Sequence, residues 1–146
     1  ANGTPSFPAV QGVTNRYGSS QYWAQETGTN EISATGSNTA IPSYILSGDY
    51  DISEQGLAGD GEYIMRVSRF IPDFKNLSGN AKVTMFFTNY PSGSLITGPF
   101  TINTTTNFIS TRVRGRQVSL KIENENLNET WRYGTLRLDI HAGGRR

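Results

Sequence analysis

Arg112, Arg114 and Arg116 alternate through "RVRGRQVSLKIE" (residues 112–123), and Lys121 follows in the same stretch. Guanidinium groups at this spacing can hold phosphates, carboxylates or the acidic surface of a neighbouring subunit through forked hydrogen bonds. Which of these they do depends on where they face. The second half of the stretch alternates Val118, Leu120 and Ile122 with Ser119, Lys121 and Glu123, the pattern of a strand that is apolar on one side. An unbroken strand would place the three arginines on that apolar side. A glycine in the left-handed region at Gly115 would act as a bulge, inserting one residue and reversing the facing of everything before it. Ile109, Thr111 and Val113 then join the core side, and Arg112 and Arg114 are displayed outward.

Displayed in this way, the arginine row is expected to pair within the protein or across a subunit contact, with nucleic acid or another polyanion as the alternatives. Trp131, Arg132, Tyr133 and Arg137 form a second cluster in sequence. Aromatics beside cations can stack bases while the cations hold the backbone. Alternatively, Arg132 or Arg137 stacks on Trp131 or Tyr133 as part of the fold.

Carboxylates gather in "SGDYDISEQGLAGDGE" as Asp49, Asp51, Glu54, Asp60 and Glu62. An EF-hand is excluded, because the sixth position from Asp49 is Glu54 where glycine is needed, and the twelfth is Asp60 where glutamate is needed. Asp49 and Asp51 share one face of an expected strand and most simply pair with arginines on a neighbour; calcium or a catalytic carboxylate pair are the alternatives. "GLAGDGE" reads as a hairpin loop. His141 is the single histidine, cysteine is absent, and there is neither a G-x-S-x-G elbow nor a phosphate-binding glycine loop. No enzyme and no cofactor is therefore expected.

The elements that must position these groups are strands. "SYILSGDYDI", "GEYIMRVSRFI", "AKVTMFFTNY", "PFTI", "NFISTRV", "RQVSLKIE" and "GTLRLDIHA" are short, mostly alternating runs separated by turn signals such as Pro72-Asp73 and Pro91-Ser92-Gly93. About seven strands and no convincing helix predict an all-β, antiparallel β-sandwich over residues 42–146. Residues 1–41, rich in Ser, Thr, Asn and Gly, are expected to be an extended arm or linker lying across a neighbouring surface, with Tyr17, Tyr22 and Trp23 as its anchors.

At 146 residues the chain is the size of one domain. Its net charge of +1 conceals an asymmetry: residues 1–65 sum to −6 and residues 66–146 to +7. The halves either neutralise each other within one core or leave a basic surface for an acidic partner. No apolar run approaches the roughly 20 residues that span a bilayer, and "ANGTPSFPAV" has neither the basic start nor the apolar stretch of a signal peptide. A start at Ala1 suggests a processed product or a piece of a longer polypeptide.

"PSYILSGDYDI" (42–52), "RFIPDF" (69–74), "NYPSG" (89–93), "RVRGRQVSLKIE" (112–123) and "WRYGTLRLDIHAGGRR" (131–146), in this order and spacing, resemble the C-terminal domain of large tail proteins of short-tailed bacteriophages, of the nozzle, hub or DNA-stabilisation type. Tyr133 stands where that family has leucine, and "NENLNETW" lacks the glycine usual before the tryptophan. The resemblance implies a structural virion component, a β-rich module of the phage tail. It would sit in a ring of identical subunits around the DNA channel, in contact with other tail proteins and non-specifically with DNA. The acidic "GDYDISEQ" of one copy would then meet the arginine row of the next. The rival is a carbohydrate- or receptor-binding β-sandwich, which would keep its aromatics exposed as platforms; aromatics buried with the strands favour the structural role.

Overall fold

The computed structural model describes residues 10–14, 20–24, 28–32, 36–52, 63–89 and 93–145. Every regular element among them is a strand. In chain order these are β1 (Val10–Thr14), β2 (Ser20–Ala24), β3 (Asn30–Ile32), β4 (Asn38–Ala40), β5 (Ser43–Leu46), β6 (Tyr63–Ile71), β7 (Phe74–Ser78), β8 (Ala81–Thr88), β9 (Ser94–Ile102), β10 (Ile109–Gly115), β11 (Gln117–Asn124), β12 (Thr130–Tyr133) and β13 (Arg137–Arg145).

Two antiparallel sheets carry the core. One has three strands in the order β10-β6-β13, and the other has four in the order β5-β11-β8-β9. Period-two alternation decides what each sheet buries. Met65, Val67 and Phe70 of β6 and Ile109 of β10 cluster with Val83, Met85 and Phe87 of β8 and with Val118, Leu120 and Ile122 of β11. Each such side chain contributes about 1.5–3 kcal/mol on burial, and the single cluster drawn from both sheets makes the arrangement sandwich-like.

The turn at Gly115 is not the left-handed bulge expected from the sequence. Gly115 is absent from the positive-φ residues. It ends β10, which pairs with β6 in the three-stranded sheet, while β11 starts two residues later in the four-stranded sheet. The chain therefore changes sheets here, with the Arg116 N–H donating to the Thr88 carbonyl at 2.9 Å. The approach is close: an added Cβ would lie 3.1 Å from Phe87 Cβ, so a side chain here would require Phe87 to give way by a few tenths of an ångström. The register shift in β10 falls earlier, between Ser110 and Val113.

Three more elements differ from expectation. β9 begins at Ser94 rather than Pro99, and as an edge strand it tolerates a proline that a central strand would not. β7 and β12 form a two-stranded ribbon that short polar sequences such as "FKNLS" did not announce. "SYILSGDYDI" is not one strand: β5 ends at Leu46, after which the Ser47 N–H still donates to the Leu120 carbonyl of β11 at 2.9 Å and Tyr50 forms an isolated bridge with Val118. Within residues 1–41, β1 pairs with β2 and β3 with β4. Asn30 and Asn128 exchange hydrogen bonds: Asn128 N–H donates to Asn30 Oδ1 at 2.8 Å, and Asn30 Nδ2 donates to Asn128 Oδ1 at 2.6 Å. Tyr17 and the "GLAGDGE" loop lie outside the described residues.

Candidate functional site

The outer face of the three-stranded sheet is where the arginines collect. On β10, Arg112 and Arg114 are exposed and alternate with buried Thr111, whose hydroxyl donates to the Val67 carbonyl at 2.8 Å, and with half-buried Val113. Their outward facing matches the expectation, although a sheet crossover produces it. Across the sheet, Arg114 stands opposite Arg66 of β6, and Arg66 opposite His141 of β13. Like charges directly opposite on neighbouring strands are destabilising. Among the described residues Arg66, Arg112 and Arg114 have no carboxylate partner.

The remainder of the face is neutralised. Arg69 donates from Nε and Nη2 to Asp139 Oδ2 at 2.9 and 2.8 Å, and this contact holds the Asp139 carboxyl below the usual carboxylate range. His141 Nε2 lies 3.5 Å from Asp139 Oδ1, and Arg137 Nη2 lies 3.6 Å from Asp73 Oδ2. Arg69 also sits over the Phe108 ring, 5.7 Å from its centroid. Arg66 and Arg69 were missed in the sequence. Strict alternation puts two residues three apart on opposite faces, and only the register shift of β6 against β13, between Asp139 and Ile140, brings both outward.

The other candidates are distributed elsewhere. Lys121 lies on the four-stranded sheet, paired with Glu123 and 5.2 Å from the centre of the Tyr44 ring. Arg116 is half-buried at the crossover. Asp49 is exposed and Asp51 half-buried, and they flank the isolated Tyr50 bridge rather than lying within the strand expected for them. Glu54, Asp60 and Glu62 lie outside the described residues. No group of three or more His, Asp or Glu is placed to hold a metal among the described residues.

Trp131 and Tyr133 do not carry the stacked arginines allowed for above. Both are half-buried and pack on Phe74, with ring centroids at 6.1 and 5.4 Å. Trp131 Nε1 donates to Asn124 Oδ1 at 3.3 Å, while Arg132 between them is exposed. The loop before them, "NENLNETW", closes around Glu129. Its carboxylate accepts from Asn126 N and Nδ2 at 3.0 Å each and from Asn80 N and Glu125 N at 3.3 Å. Burial pushes the Glu129 carboxyl up, but these hydrogen bonds outweigh it and hold the group below the usual range.

A second surface is apolar. β5 and β9 are the two edges of the four-stranded sheet. β5 exposes Tyr44, Ile45 and Leu46 at 66%, 49% and 56%, and β9 exposes Leu95 and Ile96 at 50% and 60%. Lone exposed apolar residues need no explanation, but runs of them on open strand edges are sites for pairing with another chain. No helix of the described residues is long and apolar enough to cross a membrane. No protein-family model matches the chain, and no curated protein sequence matches it significantly.

Proposed function

We propose that this chain is a structural β-domain of a short-tailed phage tail that packs against identical copies in a ring around the DNA channel. The observation that carries the reading is the pair of exposed apolar edges on opposite sides of one sheet. β5 of one copy laid beside β9 of the next continues the sheet across the contact and covers both apolar runs. That contact is head-to-tail, the type of contact from which rings are built when the rotation between copies closes. The order and spacing of the segments that resemble tail proteins add to the reading. The packing of Trp131 and Tyr133 onto Phe74 favours it over a sugar-binding platform, which needs its aromatics free.

Sedimentation of the 146-residue chain tests the reading. Discrete multimers are expected, and Ile96→Lys or Ile45→Lys should shift them toward monomer while leaving the circular dichroism spectrum unchanged. A chain that stays monomeric at every accessible concentration would contradict it.

A further inference from the structure

We propose that the outer face of β10-β6-β13 is a binding surface for the phosphate backbone of duplex nucleic acid, with Arg66, Arg112 and Arg114 as its contacts and no sequence preference. Among the described side chains, five arginines on this face (Arg66, Arg69, Arg112, Arg114 and Arg137) meet two carboxylates, Asp73 and Asp139. The excess is concentrated at one end. There Arg114 faces Arg66 across the strands, and Arg112 lies two residues along β10. Neighbouring strands lie about 4.8 Å apart and alternate residues about 6.7 Å apart, so the three exposed arginines are rooted at adjoining positions of one face. Such a cross-strand arrangement opposes folding of the isolated chain, and a polyanion relieves it.

The surroundings distinguish phosphate from a protein partner. Protein interfaces also favour arginine, but set among aromatics and methionine, whereas nucleic-acid interfaces are polar and strongly positive. The apolar groups on the face are half-buried Ile64, two residues from Arg66, and Ile71 and Phe108 at the Arg69–Arg137 end; none is an aromatic beside the Arg66–Arg114 pair. No ring stands among the three arginines to stack an unpaired base, which favours duplex over single strands. The face offers Ser68 and Ser110 but no Asn or Gln for reading base edges. Several of the described carboxylates, Asp73, Asp139, Glu123 and Glu125, are already paired with cations of this chain, so a second copy is the weaker complement. The face would bind whether or not copies assemble, because neither β5 nor β9 belongs to it.

Fluorescence anisotropy of a 25-base-pair duplex of arbitrary sequence, titrated with the full chain from 50 to 200 mM NaCl, is the test. Three phosphate contacts give a slope of log Kobs against log salt of about −3. The double variant Arg66→Gln/Arg114→Gln should reduce that slope by about 2 and weaken binding on the order of a hundredfold at 50 mM salt. Lys82→Gln/Lys121→Gln, which removes the same charge from the other sheet, should leave the slope unchanged. An oligo-dT of equal length should bind no better than the duplex. The proposal is overturned if the native chain shows no salt-dependent binding, if the two double variants lose affinity equally, or if single strands are preferred. It is also overturned if the arginine variant changes sedimentation while DNA binding is kept, since the face then belongs to a subunit contact.

Discussion

Tyr133 is a phenol held in a place that does not satisfy it. Its hydroxyl is buried and has no hydrogen-bond partner among the described residues. Burial pushes its pKa up to about 12, with Tyr50 and Asp73 nearby adding to the shift. An unfolded tyrosine ionises near pH 10. Between those values the unfolded chain has released a proton that the native chain retains, so stability falls as pH rises through this window. Tyr133→Phe removes both effects. It should raise stability at neutral pH by about 1 kcal/mol and flatten the alkaline limb of a stability–pH profile, as urea unfolding would measure.

At the scale of elements, the connection from β11 to β12 depends on one carboxylate. Glu129 is 7% exposed and accepts four hydrogen bonds, three of them from backbone N–H groups. Glu129→Gln should cost about 1–3 kcal/mol. Because the native carboxyl titrates below its unfolded value of about 4.3, the unfolded chain binds the proton first. The stabilisation is therefore present above that value and lost as pH falls through the native one, and the variant should lose this acid dependence. Little in "NENLNETW" announced the loop, whose hydrogen bonds come from a residue as distant as Asn80. Strands that alternate cleanly, β8 and β11 above all, were readable because burial on one face imposes period two. β7 and β12 were not, because each is short and stabilised by pairing with the other. The outward arginines of β10 were legible, but their partners in the row, Arg66 and His141, are set by cross-strand register, which no single stretch of sequence contains.

The whole molecule presents two unlike surfaces, an arginine face on one sheet and two apolar edges on the other. Under the proposed reading, one domain would meet its own copies through β5 and β9 and keep Arg66, Arg112 and Arg114 for a polyanion. The charge asymmetry seen along the sequence thus becomes local in space, with the basic second half supplying the entire arginine face. The acidic first half has Asp49 exposed beside the Tyr50 bridge, in a segment that pairs with β11 rather than with β10. The edge contact is the part of this account on which the ring depends. The chain contains no cysteine, so a single introduced pair can report on it without interference. Leu46 and Ile96 lie on the two opposite edge strands, separated by β11 and β8. Three strand spacings put them roughly 14 Å apart within one copy, beyond the Cα separation of about 7 Å that a disulfide can bridge. Oxidation of Leu46→Cys/Ile96→Cys, followed by denaturing electrophoresis without reductant, is the most direct measurement. The account predicts a ladder of covalent multimers that collapses to monomer on reduction; a band that remains monomeric after complete oxidation of the native assembly would contradict it.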